Sequence, residues 1–176
     1  MKKILIILII FLFFMLLSHY VLYAASSKDI YKLAVKSALQ KNKEFAFMYY
    51  RQLLRDYPQS PYAMEALFGE GEYFFFIPDY DQAYKLFDEY IRRYPDSKAM
   101  LFALAYLLKI ARIQKKEELA KDIEKKIISV RQVGLVFTDF KEYEYQSPLA
   151  RKFLAVFHID KIEFYADDNL FAKISY

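Results

Sequence analysis

Residues 55–68 read RDYPQSPYAMEALF, and residues 92–104 read RRYPDSKAMLFAL. Tyr57-Pro58 returns as Tyr94-Pro95, Ser60 as Ser97, and Ala66-Leu67 as Ala103-Leu104, each 37 positions further on. A segment restated at an interval in the thirties marks a repeat architecture, in which one unit cannot bury its own apolar face and neighbours stack to complete the core.

The flanking periodicity gives each unit its content. Ser26 or Ser27 can cap a first helix, with Asp29 in its opening turn. Ile30, Leu33, Ala34, Ser37 and Ala38 share one helical face. QKNKE then breaks the pattern, and Phe45, Ala46, Tyr49, Tyr50, Leu53 and Leu54 form a second stripe that Pro58 stops. The next unit expects a helix of about Pro61 to Phe75, a turn at IPDY with Asp79 as a cap, and a partner stripe of Ala83, Tyr84, Phe87, Tyr90 and Ile91 closed by Pro95. A third pair is expected over about Ser97 to Ile113 and Lys116 to Val130. The fold class is therefore mostly α: a solenoid of about three helix pairs.

Ala34, Ala46, Tyr50, Leu53 and Pro58, and then Gly71, Phe74, Tyr80, Ala83, Phe87, Tyr90 and Pro95, resemble the tetratricopeptide-repeat spacing of small, aromatic and apolar residues before a proline. In the third unit Ala120 keeps the pattern, but Glu124 stands where the aromatic belongs, as in a terminal cap. The resemblance covers about residues 28–130. Its flavour is similar to the periplasmic branch of that family, which includes outer-membrane-assembly lipoproteins and cell-division coordinators. It implies a protein–protein interaction scaffold and no enzyme. No cysteine follows the leader, which departs from the lipoprotein members.

The first 25 residues carry a basic pair, Lys2-Lys3, an apolar run from Ile4 to Leu17, and small residues at Ala24 to Ser27, the pattern of a secretory signal. From Ile4 to Ala25 a helix would reach roughly 33 Å, enough to span a bilayer uncut. Cleaved signal and retained inner-membrane anchor are both open. Either delivers the remainder outside the cytoplasmic membrane, so the expected location is periplasmic or exported.

The 176 residues hold no Cys, which excludes disulfides and thiolate sites, and only three Gly, which suits helices. The formal charge is +4. Basic and acidic residues are interspersed, as in KKEELAKDIEKK, so no nucleic-acid footprint is present.

After about Val130 the texture changes. VGLVFTDFKEYEYQ alternates, and Gly134 is expected to break any helix. SPLARKFLAVF reads as a short helix or a strand. IDKIEFYADDNLFAKISY reads as a β-hairpin turning at ADDN, with its second strand over Leu170 to Tyr176. The expected organisation is a leader over 1–25, a helical repeat domain over 26–130, and a C-terminal segment with a β-hairpin over 131–176. That hairpin resembles the first two strands of the amidase-associated module that targets cell-wall amidases to peptidoglycan. The second functional reading is therefore the targeting portion of a cell-wall amidase-type protein.

No candidate catalytic, cofactor-binding or metal-binding residue emerges. His158 beside Asp160 offers too few ligands for zinc. Glu70 and Glu72 are expected to be solvated, Asp167-Asp168 to be turn residues, and YFFFIPDY to pack between helices, with an exposed ligand patch as its alternative. By the repeat register, Tyr31, Val35, Glu65, Phe68, Glu72, Phe75, Phe102, Lys109 and Arg112 line the concave side. They are the candidate contacts for a partner: an envelope protein or peptide, or peptidoglycan under the second reading.

Overall fold

The computed structural model describes residues 25–135 and 142–175. Among these residues six helices come first: α1 (Ser27–Leu39), α2 (Lys43–Asp56), α3 (Ala63–Phe76), α4 (Tyr80–Arg93), α5 (Met100–Ile113) and α6 (Glu117–Leu135). Four strands follow: β1 (Glu142–Gln146), β2 (Lys152–Phe157), β3 (Lys161–Ala166) and β4 (Asn169–Ser175). The expected leader lies outside the described residues as far as residue 24. Among the described residues no helix is long and apolar enough to cross a membrane.

The caps show why the helices start where they do. The Ser26 side chain accepts from Asp29 N, that of Asn42 from Phe45 N, and that of Asp79 from Gln82 N, each at 3.2 Å. Each such bond satisfies an otherwise orphaned N–H of a first turn. The prolines end α2 and α4 in the same way. Tyr57 and Tyr94 leave the helix at φ −138°, ψ 58° and φ −133°, ψ 58°. Ser60 N then bonds Tyr57 O at 3.0 Å, and Ser97 N bonds Tyr94 O at 3.1 Å.

The turns within the hairpins repeat as well. Lys41, Pro78 and Lys115, again 37 apart, have positive φ. Asn42 N, Asp79 N and Lys116 N reach back to Ser37 O, Phe74 O and Ala111 O, each at 2.9 Å. This is the Schellman closure of a helix C-terminus, occurring three times. Ala46 and Ala83 are both fully buried, where two helices approach closely.

The third hairpin departs from the expected ends. α5 starts at Met100 rather than Ser97, because Ser97 is spent in the turn that follows Pro95. α6 runs past Val130 and through Gly134 to Leu135. A glycine inside a helix costs about 1 kcal/mol relative to alanine, a penalty and not a prohibition.

The C-terminal segment is an antiparallel meander in the order β1-β2-β3-β4. The expected hairpin is its β3–β4 half, turning at Asp167 and Asp168 with φ 51° and 62°. SPLARKFLAVF resolves into the strand β2. Phe153, Ala155, Ile162, Phe164 and Ile174 alternate onto one buried face, as period-two strands must. A register shift between Phe164 and Tyr165 brings Phe171 and Ala172 both inward. That face joins the helices: one continuous apolar core runs from Leu67 and Phe68 through α4 and α5 to Phe153, Phe164 and Ile174. A second cluster fills the first hairpin and takes in Leu149.

Candidate functional site

The sheet lies against the inward faces of α3 and α5, where the repeat register places the concave surface. Phe102 stacks on Tyr143 and Tyr145 with centroids 5.7 and 5.4 Å away, and meets Phe153 at 5.4 Å. Phe68 meets Tyr145 edge-on at 5.4 Å, and Phe75 meets Phe171 at 5.7 Å. Lys109 lies over the Phe171 ring. Offset and edge-on pairs of this kind add about 0.5–1.5 kcal/mol each beyond the area they bury.

The nine sequence-derived residues are therefore divided. Phe68, Glu72 and Phe102 are buried under the chain's own sheet. Phe75 and Lys109 are half-buried at its margin, and Arg112 is exposed and paired with Glu124 at 2.7 Å. Glu124, the residue that breaks the aromatic pattern of the third unit, thus has a polar task at the end of the array. Tyr31, Val35 and Glu65 are half-buried together in an open groove.

The expectation that Glu70 and Glu72 are solvated is overturned. Glu70 is largely buried, with Arg51 3.8 Å away. Glu72 is 2% exposed because donors converge on it from distant segments. Its Oε1 accepts from the Tyr106 hydroxyl at 2.9 Å, and its Oε2 from the Leu149 amide at 3.2 Å. Ser147 supplies a third bond. Arg151 Nη1 donates to the Tyr106 oxygen at 3.0 Å, and Arg151 Nε to Asp167 Oδ2 at 2.8 Å. Burial pushes the Glu72 carboxyl up to about 7, against the lowering effect of these donors and of the Arg151 charge. Burial likewise pushes the Tyr106 hydroxyl well above its usual range. This network pins the β1–β2 tip to the helices. Glu72 is enclosed as a structural link.

The groove has a volume of about 970 Å³. One wall is α1, through Tyr31 and Val35. The floor is Met64 and Glu65 of α3 with Tyr90 of α4 and Tyr94 just past its end. The other wall is Tyr145 and Gln146 of β1, continuing into Pro148. Tyr31 stacks on Tyr62 at 4.4 Å, which fixes its ring at the rim. The Tyr90 hydroxyl, pushed up to about 12 by burial, donates to Ser97 Oγ at 2.9 Å. Glu65 Oε2 is buried and has no hydrogen-bond partner.

Other tempting stretches have plain explanations. His158 Nε2 bonds Glu163 at 2.9 Å. In YFFFIPDY, Tyr73 stacks on Phe47 at 4.1 Å and Phe74 and Phe75 pack inward, while Phe76 and Ile77 stay exposed. Among the described residues no group of three or more His, Asp or Glu is placed to hold a metal ion.

Glu65 to Ser97, the second hairpin with its closing proline turn, is the segment that decides the classification. Residues 65–97 match the tetratricopeptide repeat family model. With six helices in repeated hairpins and a four-stranded sheet behind them, the chain is a tetratricopeptide-like solenoid with a small β segment. No curated protein matches the chain. The repeat match supports a protein–protein interaction scaffold, the usual work of tetratricopeptide repeats.

Proposed function

We propose that this protein is an exported scaffold of the bacterial cell envelope that holds a protein partner in outer-membrane assembly, division or wall remodelling. The tetratricopeptide match over residues 65–97 is the observation that carries the scaffold part. The envelope part rests on the leader: Lys2-Lys3, the apolar run from Ile4, and small residues at Ala24 to Ser27. In this reading residues 1–25 deliver the chain across the cytoplasmic membrane, as a removed signal or a retained anchor. Residues 26–130 form the repeat domain, and the strands between residues 142 and 175 pack on it. Because the sheet covers the inward faces of α3 and α5, the partner takes the part of the concave side left open beside α1.

The test has two arms. A phosphatase that folds only outside the cytoplasm, fused after Tyr176, should be active in bacterial cells; an inactive fusion would remove the envelope assignment. Crosslinking in those cells should join the protein to one or a few envelope proteins. Sedimentation with purified peptidoglycan in place of any protein crosslink would favour the wall-targeting reading instead.

A further inference from the structure

We infer that the groove between α1 and β1 takes an extended peptide segment bearing lysine or arginine, which adds as a fifth strand on the open edge of β1. The inference deepens the scaffold reading and rests on it.

The edge is set by register. In the sheet order β1-β2-β3-β4, β1 pairs with β2 alone among the described residues. Ser147 N donates to Arg151 O at 2.9 Å, so the backbone of Ser147 faces β2. Strand backbones alternate. Tyr145 and Tyr143 therefore also turn their N–H and C=O toward β2, and those of Gln146, Glu144 and Glu142 point away from the sheet. Gln146 lines the groove, and Glu144 and Glu142 continue the same edge. An exposed row of donors and acceptors is a template for an added strand.

Two features choose the occupant. Glu65 Oε2 lies buried at the groove floor without a donor. An unsatisfied buried carboxylate oxygen is costly, and a lysine or arginine N–H from the occupant would meet it. On the outer face, Glu142 and Glu144 are exposed on β1. Opposite charges across a strand pair are favourable and like charges are not. Arg93, paired with Glu89 at 2.9 Å, and Lys98 also line the groove, so a basic segment fits with its cations on the Glu65 and β1 side. A second copy pairing β1 against β1 would set these glutamates against each other. Apolar side chains of the added strand would rest on Tyr31, Val35, Met64 and Tyr94, in a groove of the size that ligand sites commonly have.

The probe is a fluorescein-labelled peptide of about nine residues alternating valine with lysine, with one central valine replaced by lysine so that one basic side chain also turns toward Glu65. It is titrated by anisotropy into the full-length chain kept in non-ionic detergent. Saturable binding is expected. Methylating alternate backbone nitrogens of the peptide should weaken it about tenfold or more. This arm leaves the protein unaltered, so folding is not in question. Glu65→Gln should weaken binding several-fold, and Gln146→Pro, tolerated on an edge because the lost N–H faces outward, by about tenfold. A valine–glutamate peptide should not bind. Equal affinity for the methylated peptide, indifference to both substitutions, or no binding would each overturn the inference. So would a dimer, seen by analytical ultracentrifugation, that Gln146→Pro abolishes.

A photo-crosslinking residue placed in cells at Val35, in the groove, or at Ile113, remote from it, separates the two readings. Capture of a partner at Ile113 alone removes the strand-addition site and leaves the scaffold. Capture at neither position removes both.

Discussion

The Tyr50 hydroxyl donates to the Pro148 carbonyl at 2.8 Å, across 98 positions of sequence. It joins the second helix of the first hairpin to the tip between β1 and β2. Glu72 holds the same tip from α3 through Leu149, and Phe102 holds the strands from α5. The sheet is thus fastened to all three hairpins or their neighbours, and it takes the place that a ligand would otherwise have along α3 and α5.

Tyr50→Phe keeps the ring and removes the bond. The loss should be about 1 kcal/mol, with the Pro148 carbonyl left unpaired. Denaturant unfolding would measure it, and amide exchange at residues 147–151 should quicken more than exchange in α5.

The two helical glycines of α3 should respond differently to alanine. A Cβ on Gly69 would fall 2.8 Å from the Tyr50 ring and 3.1 Å from Pro148 Cβ, and Tyr50 has no free space to withdraw into. Gly69→Ala should cost about 1–3 kcal/mol. At Gly71 the nearest atoms belong to the Phe87 ring at 3.1 Å. There the helix-propensity gain of about 1 kcal/mol offsets the crowding, so Gly71→Ala should stay within about 1 kcal/mol of the parent. Thermal melts of the pair give the ranking.

Phe102→Ala should cost about 3–5 kcal/mol, since the ring is fully buried between helices and sheet. Ile159→Ser is the control. Ile159 is 95% exposed, so the change should be within about 0.5 kcal/mol.

Glu72 makes stability depend on pH in a defined window. Its folded value, about 7, lies above the ordinary 4.5. Between those values the folded protein keeps a proton that the unfolded chain has released, so stability falls as the pH rises through the window and levels off above it. The full drop is about 3 kcal/mol. Glu72→Gln should flatten the dependence between pH 5 and pH 8, read as denaturation midpoints at each pH. An equally steep dependence in the variant would place its source elsewhere.

Much of the helical array was legible. The second Tyr-Pro pair fixed the period, and Tyr57 and Tyr94 do end their helices with nearly the same dihedral angles. Ser26 and Asp79 cap as their residue types suggest. The covering of the concave face was not legible, because it depends on contacts such as Phe102–Tyr145 between segments about forty residues apart. A signal did exist. MLFALAYLLKIARI in α5 and AMEALFGEGEYFFF in α3 are apolar around most of their circumference, and a helix apolar all round is covered on more than one side. Glu72 was misread for the same reason: its donors, Tyr106 and Leu149, lie 34 and 77 positions away. Of the nine concave candidates, Tyr31, Val35 and Glu65 remain together in the groove, and the open edge that borders them became visible only with the strand register.

The central claim is that the chain's own sheet closes the inward face of the second and third hairpins. Nuclear Overhauser contacts from the Phe102 ring test it most directly, with phenylalanine and tyrosine labelled in the full-length chain. The account predicts strong cross-peaks from Phe102 to Tyr145 and Phe153, whose ring centroids both lie 5.4 Å away. A Phe102 ring with no contact to either strand, and with ready access to a soluble paramagnetic probe, would contradict it.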